Sequence, residues 1–378
     1  MRFFHLSDLH LGKLVHEFSM LPEQEHILGQ VLAHARAERP DAVLISGDVF
    51  DRSVAPAEAL RVFDDFLVGL AALGKRVFVI SGNHDSAERL AFASRLIAPS
   101  GIHIAPAYEG RVERFTMEDG HGPLDIHLLP FVRPAMVRRF FPGERIETWT
   151  QAVQVALSQA APDPKRRNVL LSHQFVTGGA TCESEEFSVG GADNVDAAAF
   201  DGFDYVALGH LHGRQAMGRP GLRYCGSPLK YSFSEVGQQK TLTVVDMGKK
   251  GDLGIRELPL APRRDLQDLR GSYRTVSGKP FYEGLKRDNY FRVTLTDEQD
   301  EPDAMQKLRV IYPNLMRLEY DNARTRVRGG VAGLPDAQDK SPMELYEALY
   351  LEQNGAPLSP EQKDYLGSLM ETIWEGQP

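Results

Sequence analysis

Residues 77–85 read VFVISGNHD: four apolar residues, Val77 to Ile80, then Ser81, then Gly-Asn-His-Asp. A short run rich in Val, Ile and Phe that stops abruptly at Gly and polar residues reads as a strand buried on both faces. The pattern recurs at residues 3–6, 42–45, 126–129, 169–171 and 205–208. Helical stretches lie between the early runs. Residues 22–38 and 56–73 each begin with Pro, which suits the first helical position. Leu60, Phe63, Leu67 and Leu70 in the second fall at helical spacing. Strand alternating with helix predicts an α/β core with a largely parallel sheet.

Composition sets outer bounds. The chain has 378 residues, 42% hydrophobic and 25% charged, which is ordinary for a globular protein of two or three domains. With 43 Lys and Arg against 52 Asp and Glu, the formal charge is −9, unlike a simple basic coat for nucleic acid. Residues 331–378 hold nine of the acids and two of the bases, so most of that charge lies in the tail. Cys182 and Cys225 are too few for a disulfide framework. The apolar run at the N-terminus is too short for a signal peptide, and no run approaches the roughly 20 residues of a membrane span. The expectation is a cytoplasmic protein, nucleoid-associated when acting.

Five of the six strand-like runs deliver polar residues at their carboxyl ends. Asp8 and His10 follow the first run, and Gly47, Asp48 and Asp51 the second. Asn83, His84 and Asp85 follow the third, His173 the fifth, and His210 and His212 the sixth. Ligands of open α/β sheets bind in the crevice at those ends. Singly, each motif is weak: a strand-end His is more often packed or solvated than a ligand, and Gly-Asn-His-Asp also makes a good turn. In series they point to a metal centre. Carboxylate, imidazole and amide without thiolate favour Mn²⁺ or a similar ion over structural Zn²⁺. There are more donors than one ion needs, and two ions sharing a carboxylate suit phosphoester hydrolysis.

The five-motif series resembles that of the calcineurin-like metallophosphoesterases. More narrowly, Tyr224-Cys225-Gly226-Ser227-Pro228, followed by Ser232, Phe233 and Glu235, resembles the SbcD family of nuclease subunits. The resemblance implies a two-sheet β sandwich flanked by helices, a small α+β capping domain, and C-terminal helices that bind a partner. It implies that Asp8, His10, Asp48 and His212 hold one ion and that Asp48, Asn83, His173 and His210 hold the other. His84 would face the scissile phosphate without binding metal. Asp85 would orient its neighbours or serve as a turn carboxylate. Some distant relatives carry a second active-site His where this chain has Asp51, a carboxylate that would repel phosphate.

By the same resemblance the chain would be a Mn²⁺-dependent DNA nuclease, cutting double-strand ends as an exonuclease and single strands or hairpins as an endonuclease. It would act with the SbcC ATPase in DNA repair, recombination and replication, as a homodimer within a heterotetramer. The expected division is residues 1–275 for the nuclease domain, 276–333 for a DNA-capping domain and 334–378 for helices that bind SbcC. Two stretches that begin Ser-Pro, at residues 341 and 359, open those helices. Their apolar stripes contain Tyr346, Tyr350, Tyr365 and Trp374, which suit an interface. Residues 261–280 and 324–333 read as boundaries, and residues 241–247 with 255–260 as a hairpin. Basic clusters at 138–139, 165–167, 249–250 and 263–264 are candidate phosphate contacts, though each is more often solvated surface. A phosphomonoesterase or cyclic-nucleotide phosphodiesterase on the same centre is the alternative; a scaffold without catalysis would have lost ligands, and none is missing.

Overall fold

The computed structural model describes residues 1–185, 193–327 and 342–375. The chain divides into two compact units, Met1–Asp265 and Leu266–Pro378. Among the described residues no helix is long and apolar enough to cross a membrane.

The first unit is a sandwich of two six-stranded sheets. Leu253–Pro259, Thr241–Met247, Arg2–Leu6, Ala42–Ser46, Arg76–Ile80 and Ile102–Ile104 lie side by side in one. Its last four strands run parallel, and the hairpin predicted at 241–260 continues it antiparallel beside Arg2–Leu6. In the other, Gln215–Met217, Arg219–Tyr224, Tyr205–Gly209, Arg167–His173, Gly122–Leu129 and Glu113–Asp119 are neighbours. Its centre is parallel and both edges are antiparallel. The reading of a largely parallel sheet thus holds for the last four strands of the first sheet and for the centre of the second.

Side chains from both sheets meet in one core: Phe3, Leu44 and Phe78 from the first, Ile126, Val169 and Ala207 from the second. Helices Leu21–Glu38 and Ala57–Ala72 bury Val31, Phe63 and Phe66. Helix Trp149–Ser158 packs Val153 and Leu157 into a second core with Leu170 and Val206. Its capping box, Thr148 with Gln151, went unread in the sequence.

In the second unit, Leu266–Gly271, Tyr290–Leu295 and Leu315–Tyr320 form a parallel three-stranded sheet. Helix Ala304–Ile311 crosses between the last two, and Val293, Leu308 and Tyr312 share a core. The division between the two units, after Asp265, falls within the stretch 261–280 read as a boundary, but from Leu266 that stretch also carries the first strand of this sheet. Composition hid that strand because only Leu266 and Leu269 are buried in it. Helices Pro342–Asn354 and Pro360–Glu375 follow. Ser359 and Gln362 cap the second reciprocally, at 2.9 and 3.2 Å. Tyr346, Leu349, Leu351, Tyr365 and Leu369 are exposed. Most of the boundary read at 324–333, the Ser341 cap and the side chain of Trp374 lie outside the described residues.

Candidate metal centre

Parallel pairing brings the carboxyl ends of Arg2–Leu6, Ala42–Ser46 and Arg76–Ile80 to one edge. His173 and Gly209 are register partners in the facing sheet. The two sheets meet there, since His173 Nδ1 donates to the Ser46 carbonyl at 2.8 Å. The first two loops then run alongside each other. The Asp8, His10 and Leu11 amides donate to the Gly47, Asp48 and Val49 carbonyls at 2.9–3.0 Å.

Turning the chain this sharply strains it. Asp8, His10, Asp48 and His210 all have positive φ, at 54°, 43°, 49° and 110°. Such conformations cost about 1–3 kcal/mol each in a non-glycine residue and concentrate at functional sites. Glycines make the close approaches. A Cβ on Gly82 would lie 2.1 Å from Asp48 Oδ1, and one on Gly209 would lie 2.0 Å from the Ser46 carbonyl oxygen.

All seven donors named from the sequence meet here. Asp8, His10, Asp48, His173, His210 and His212 are buried and Asn83 is half-buried. Three groups could each hold an ion: Asp8, His10 and His212; Asp8, Asp48 and His173; and His10, Asp48 and His84. The Nε2 atoms of His10 and His212 stand 3.1 Å apart. His212 Nδ1 is 2.7 Å from Ser184 Oγ, and His10 Nδ1 faces Asp51 Oδ1 at 3.5 Å. Those acceptors draw the ring protons outward, leaving both Nε2 lone pairs pointing at one spot. Asn83 Oδ1 sits 3.0 Å from both His173 Nε2 and His210 Nδ1. His173 Nε2 also faces Asp48 Oδ2 at 3.3 Å. Facing lone pairs and clustered oxygens are what a cation satisfies, so the donor set fits a pair of divalent ions.

Electrostatics follow from burial. It pushes the imidazoles of His210 and His212 down, to about 3 and about 4, so both are neutral at pH 7. It raises the Asp8 carboxyl to about 7. Burial opposes charge on Asp48 and His173 too, yet each favours the other's ionised form. The Asp48 carboxyl stays well below the usual range, and His173 rises to about 9.

His84 occupies the outer side of the cluster. Its amide donates to Asp48 Oδ1 and its Nδ1 to the Asp51 carbonyl, both at 3.0 Å. Asp85 accepts from the amides of Val49, Phe50 and Gly82 at 2.9–3.1 Å, pinning the second motif loop to the third. Burial, then the nearby Asp48 charge, lifts its carboxyl to about 6.

Sequence reasoning passed over Ser184 and Lys13. Lys13 Nζ is 2.7 Å from Asp51 Oδ1. Only the order Asp-Leu-His-Leu-Gly-Lys could have hinted at Lys13, and nothing local marks Ser184. Four of the nine candidate phosphate contacts pair with carboxylates within the fold. Arg167 is buried and forks onto Asp119, Arg166 pairs with Asp125, Lys250 with Asp204 and Arg264 with Glu23.

A model of the calcineurin-like phosphoesterases matches residues 1–214. A second, described as the type 5 capsule protein repressor C-terminal domain, matches residues 262–354. The SbcD subunit of the nuclease SbcCD from Staphylococcus epidermidis is 34% identical over 330 residues, 84% of this chain and 85% of that protein. Among solved structures, a dimetal phosphatase from Danio rerio is similar over 69% of this chain and 99% of its own, with 11% identity and a TM-score of 0.42. A protein of Thermus thermophilus is similar over 68% and 98%, with 11% identity and a TM-score of 0.38.

Proposed function

Since the chain belongs to the calcineurin-like phosphoesterases and, within them, to the SbcD family of nuclease subunits, we propose that it is a Mn²⁺-dependent DNA nuclease. Asp48 carries the reading. Its Oδ2 lies 3.3 Å from His173 Nε2 and 3.6 Å from His10 Nε2, so one carboxylate oxygen faces both donor sets. Asp8, His10 and His212 would hold one ion with Asp48, and Asn83, His173 and His210 would hold the other with it. When bound, the ions supply Lewis acidity that activates water and offsets charge on the phosphoryl oxygens.

The rest is the work of this chain's own groups. The Asp51 carbonyl can only accept, so His84 Nδ1 carries a proton and Nε2 is the atom that exchanges one. Nε2 faces the phosphate, steadies its charge and protonates the leaving oxygen. Asp85 keeps the Asp48 and Asn83 loops in register.

DNA as substrate follows from the family: double-strand ends cut exonucleolytically, hairpins and single strands endonucleolytically. ATP binding by an SbcC-type partner would gate the site, and the exposed Tyr346 and Tyr365 of the last two helices suit that partner. The three-stranded unit would cap the DNA. Leu60 and Val68 on helix Ala57–Ala72, with Phe92 and Leu96, supply exposed apolar surface for homodimer contact.

The test is cleavage of hairpin-ended and blunt duplexes by the chain with Mn²⁺, its ATPase partner and ATP. Cutting of both supports the reading. Faster turnover of a mononucleotide than of DNA would favour a small-molecule phosphoesterase.

A further inference from the structure

The structure assigns a positioning role to Glu235, which acts through Ser184 on the imidazole of His212; this rests on His212 being a metal ligand, as proposed above.

Glu235 has a fully buried side chain, and its contacts lead to one place. Its Oε1 accepts from Ser184 Oγ at 2.7 Å, Ser232 Oγ at 3.0 Å and the Tyr231 amide at 3.2 Å. Its Oε2 accepts from Lys240 Nζ at 2.6 Å. Lys240 also donates to the His212 carbonyl at 2.9 Å and to Ser227 Oγ at 3.0 Å. The contacts close a ring: His212 side chain, Ser184, Glu235, Lys240 and His212 backbone.

The ring dictates a tautomer. Beside a carboxylate paired to an ammonium, the Ser184 hydroxyl must donate to Glu235. Its lone pairs are then all it can offer His212, so Nδ1 must carry the proton. Nε2 is left bare and aimed at His10 Nε2, 3.1 Å away. The serine is required, because His212 Nδ1 and Glu235 Oε1 are 3.8 Å apart, too far for a direct bond.

Stability alone does not account for this pair. A buried ion pair is often no more stable than apolar side chains of similar volume. What it supplies is orientation: carboxylate partners behind a metal-binding His raise its basicity and fix its plane. The ring also explains why three distant segments converge. Among the described residues, no strand pairing joins Ser184, His212 and the turn Phe233–Glu235. These side chains hold them, with neighbouring bonds such as Glu183 N to Ser234 Oγ at 3.1 Å.

The test is Mn²⁺ titration of the full chain by calorimetry, with electron paramagnetic resonance of the bound ions. The variants are Ser184→Ala, Ser184→Thr and Glu235→Gln, each checked for folding by circular dichroism. Wild type should bind two coupled ions. Ser184→Ala and Glu235→Gln should weaken one ion by about 10- to 100-fold and lose the coupled signal, while the other ion keeps its affinity. Ser184→Thr keeps a hydroxyl and should restore both. If Glu235→Gln fails to fold because Lys240 is stranded, Ser184→Ala decides. Folded Ser184→Ala that binds both ions within twofold of wild type overturns the inference. Wild type that binds no ion pair overturns the metal reading, and the inference with it.

Discussion

Lys13 Nζ lies 2.7 Å from Asp51 Oδ1, so the carboxylate beside the candidate metal centre comes with its own counter-charge. Asp51 is held ionised. Burial opposes its charge, but hydrogen bonds from His10 and Lys13 prevail and bring its carboxyl to about 2. The pair answers the objection raised from the sequence, that a carboxylate here would repel phosphate. Lys13→Met removes the nearest of its counter-charges and leaves, among the described residues, only Arg52 Nε, 3.8 Å from Asp51 Oδ2 and mostly exposed. It should raise KM for DNA roughly tenfold, about 1.4 kcal/mol. Adding Asp51→Asn should recover most of the loss, since the Asp51 backbone still holds His84. Steady-state kinetics of the double-mutant cycle check this; an unchanged KM in Lys13→Met refutes it.

His84 donates its backbone amide to Asp48, while its ring Nε2 lies 3.9 Å from Asp48 Oδ2, beyond hydrogen-bond reach. His84→Gln should therefore keep the fold and both ions. It should lose roughly 10²- to 10⁴-fold in kcat, the usual worth of a positioned proton donor. Weaker Mn²⁺ binding in this variant would instead make His84 a ligand.

Metal uptake should release protons. Without metal, Asp48 holds the His173 proton to about pH 9, and Asp8 keeps its own to about 7. A ligand must be deprotonated, so binding at pH 7 expels these protons and apparent affinity rises with pH toward 9. Calorimetry in buffers of different ionisation enthalpy measures the release directly. Zero net release at pH 7 would contradict the His173–Asp48 pairing.

Gly82→Ala should abolish metal binding in a chain that still folds. Its Cβ would stand 2.1 Å from Asp48 Oδ1, so the carboxylate must swing away. Gly29→Ala is the control: nothing lies within 4 Å of that Cβ inside helix Leu21–Glu38, and it should stabilise by about 0.5–1 kcal/mol. Metal titration and thermal melts separate the two effects.

The site was far more legible in the sequence than its setting. Strands such as Ala42–Ser46 are buried along their whole length, so they read as plain apolar runs, and the donors follow directly. Glu113–Asp119 has a single buried residue, Met117, and left no such run. Leu266–Gly271 hid for the same reason. Ser184 and Glu235 stand 51 positions apart and meet only through the fold, so no local spacing could pair them. The partner face of Asp51 was equally invisible, because Lys13 reaches it across 38 positions.

The central claim is a two-ion centre bridged by Asp48. Anomalous scattering from crystals of the chain with Mn²⁺ tests it most directly. The account predicts two ions roughly 3.5–4 Å apart, with Asp48 touching both. One set would be completed by Asp8, His10 and His212, the other by Asn83, His173 and His210. A single ion, or two ions with Asp48 on only one, would contradict it.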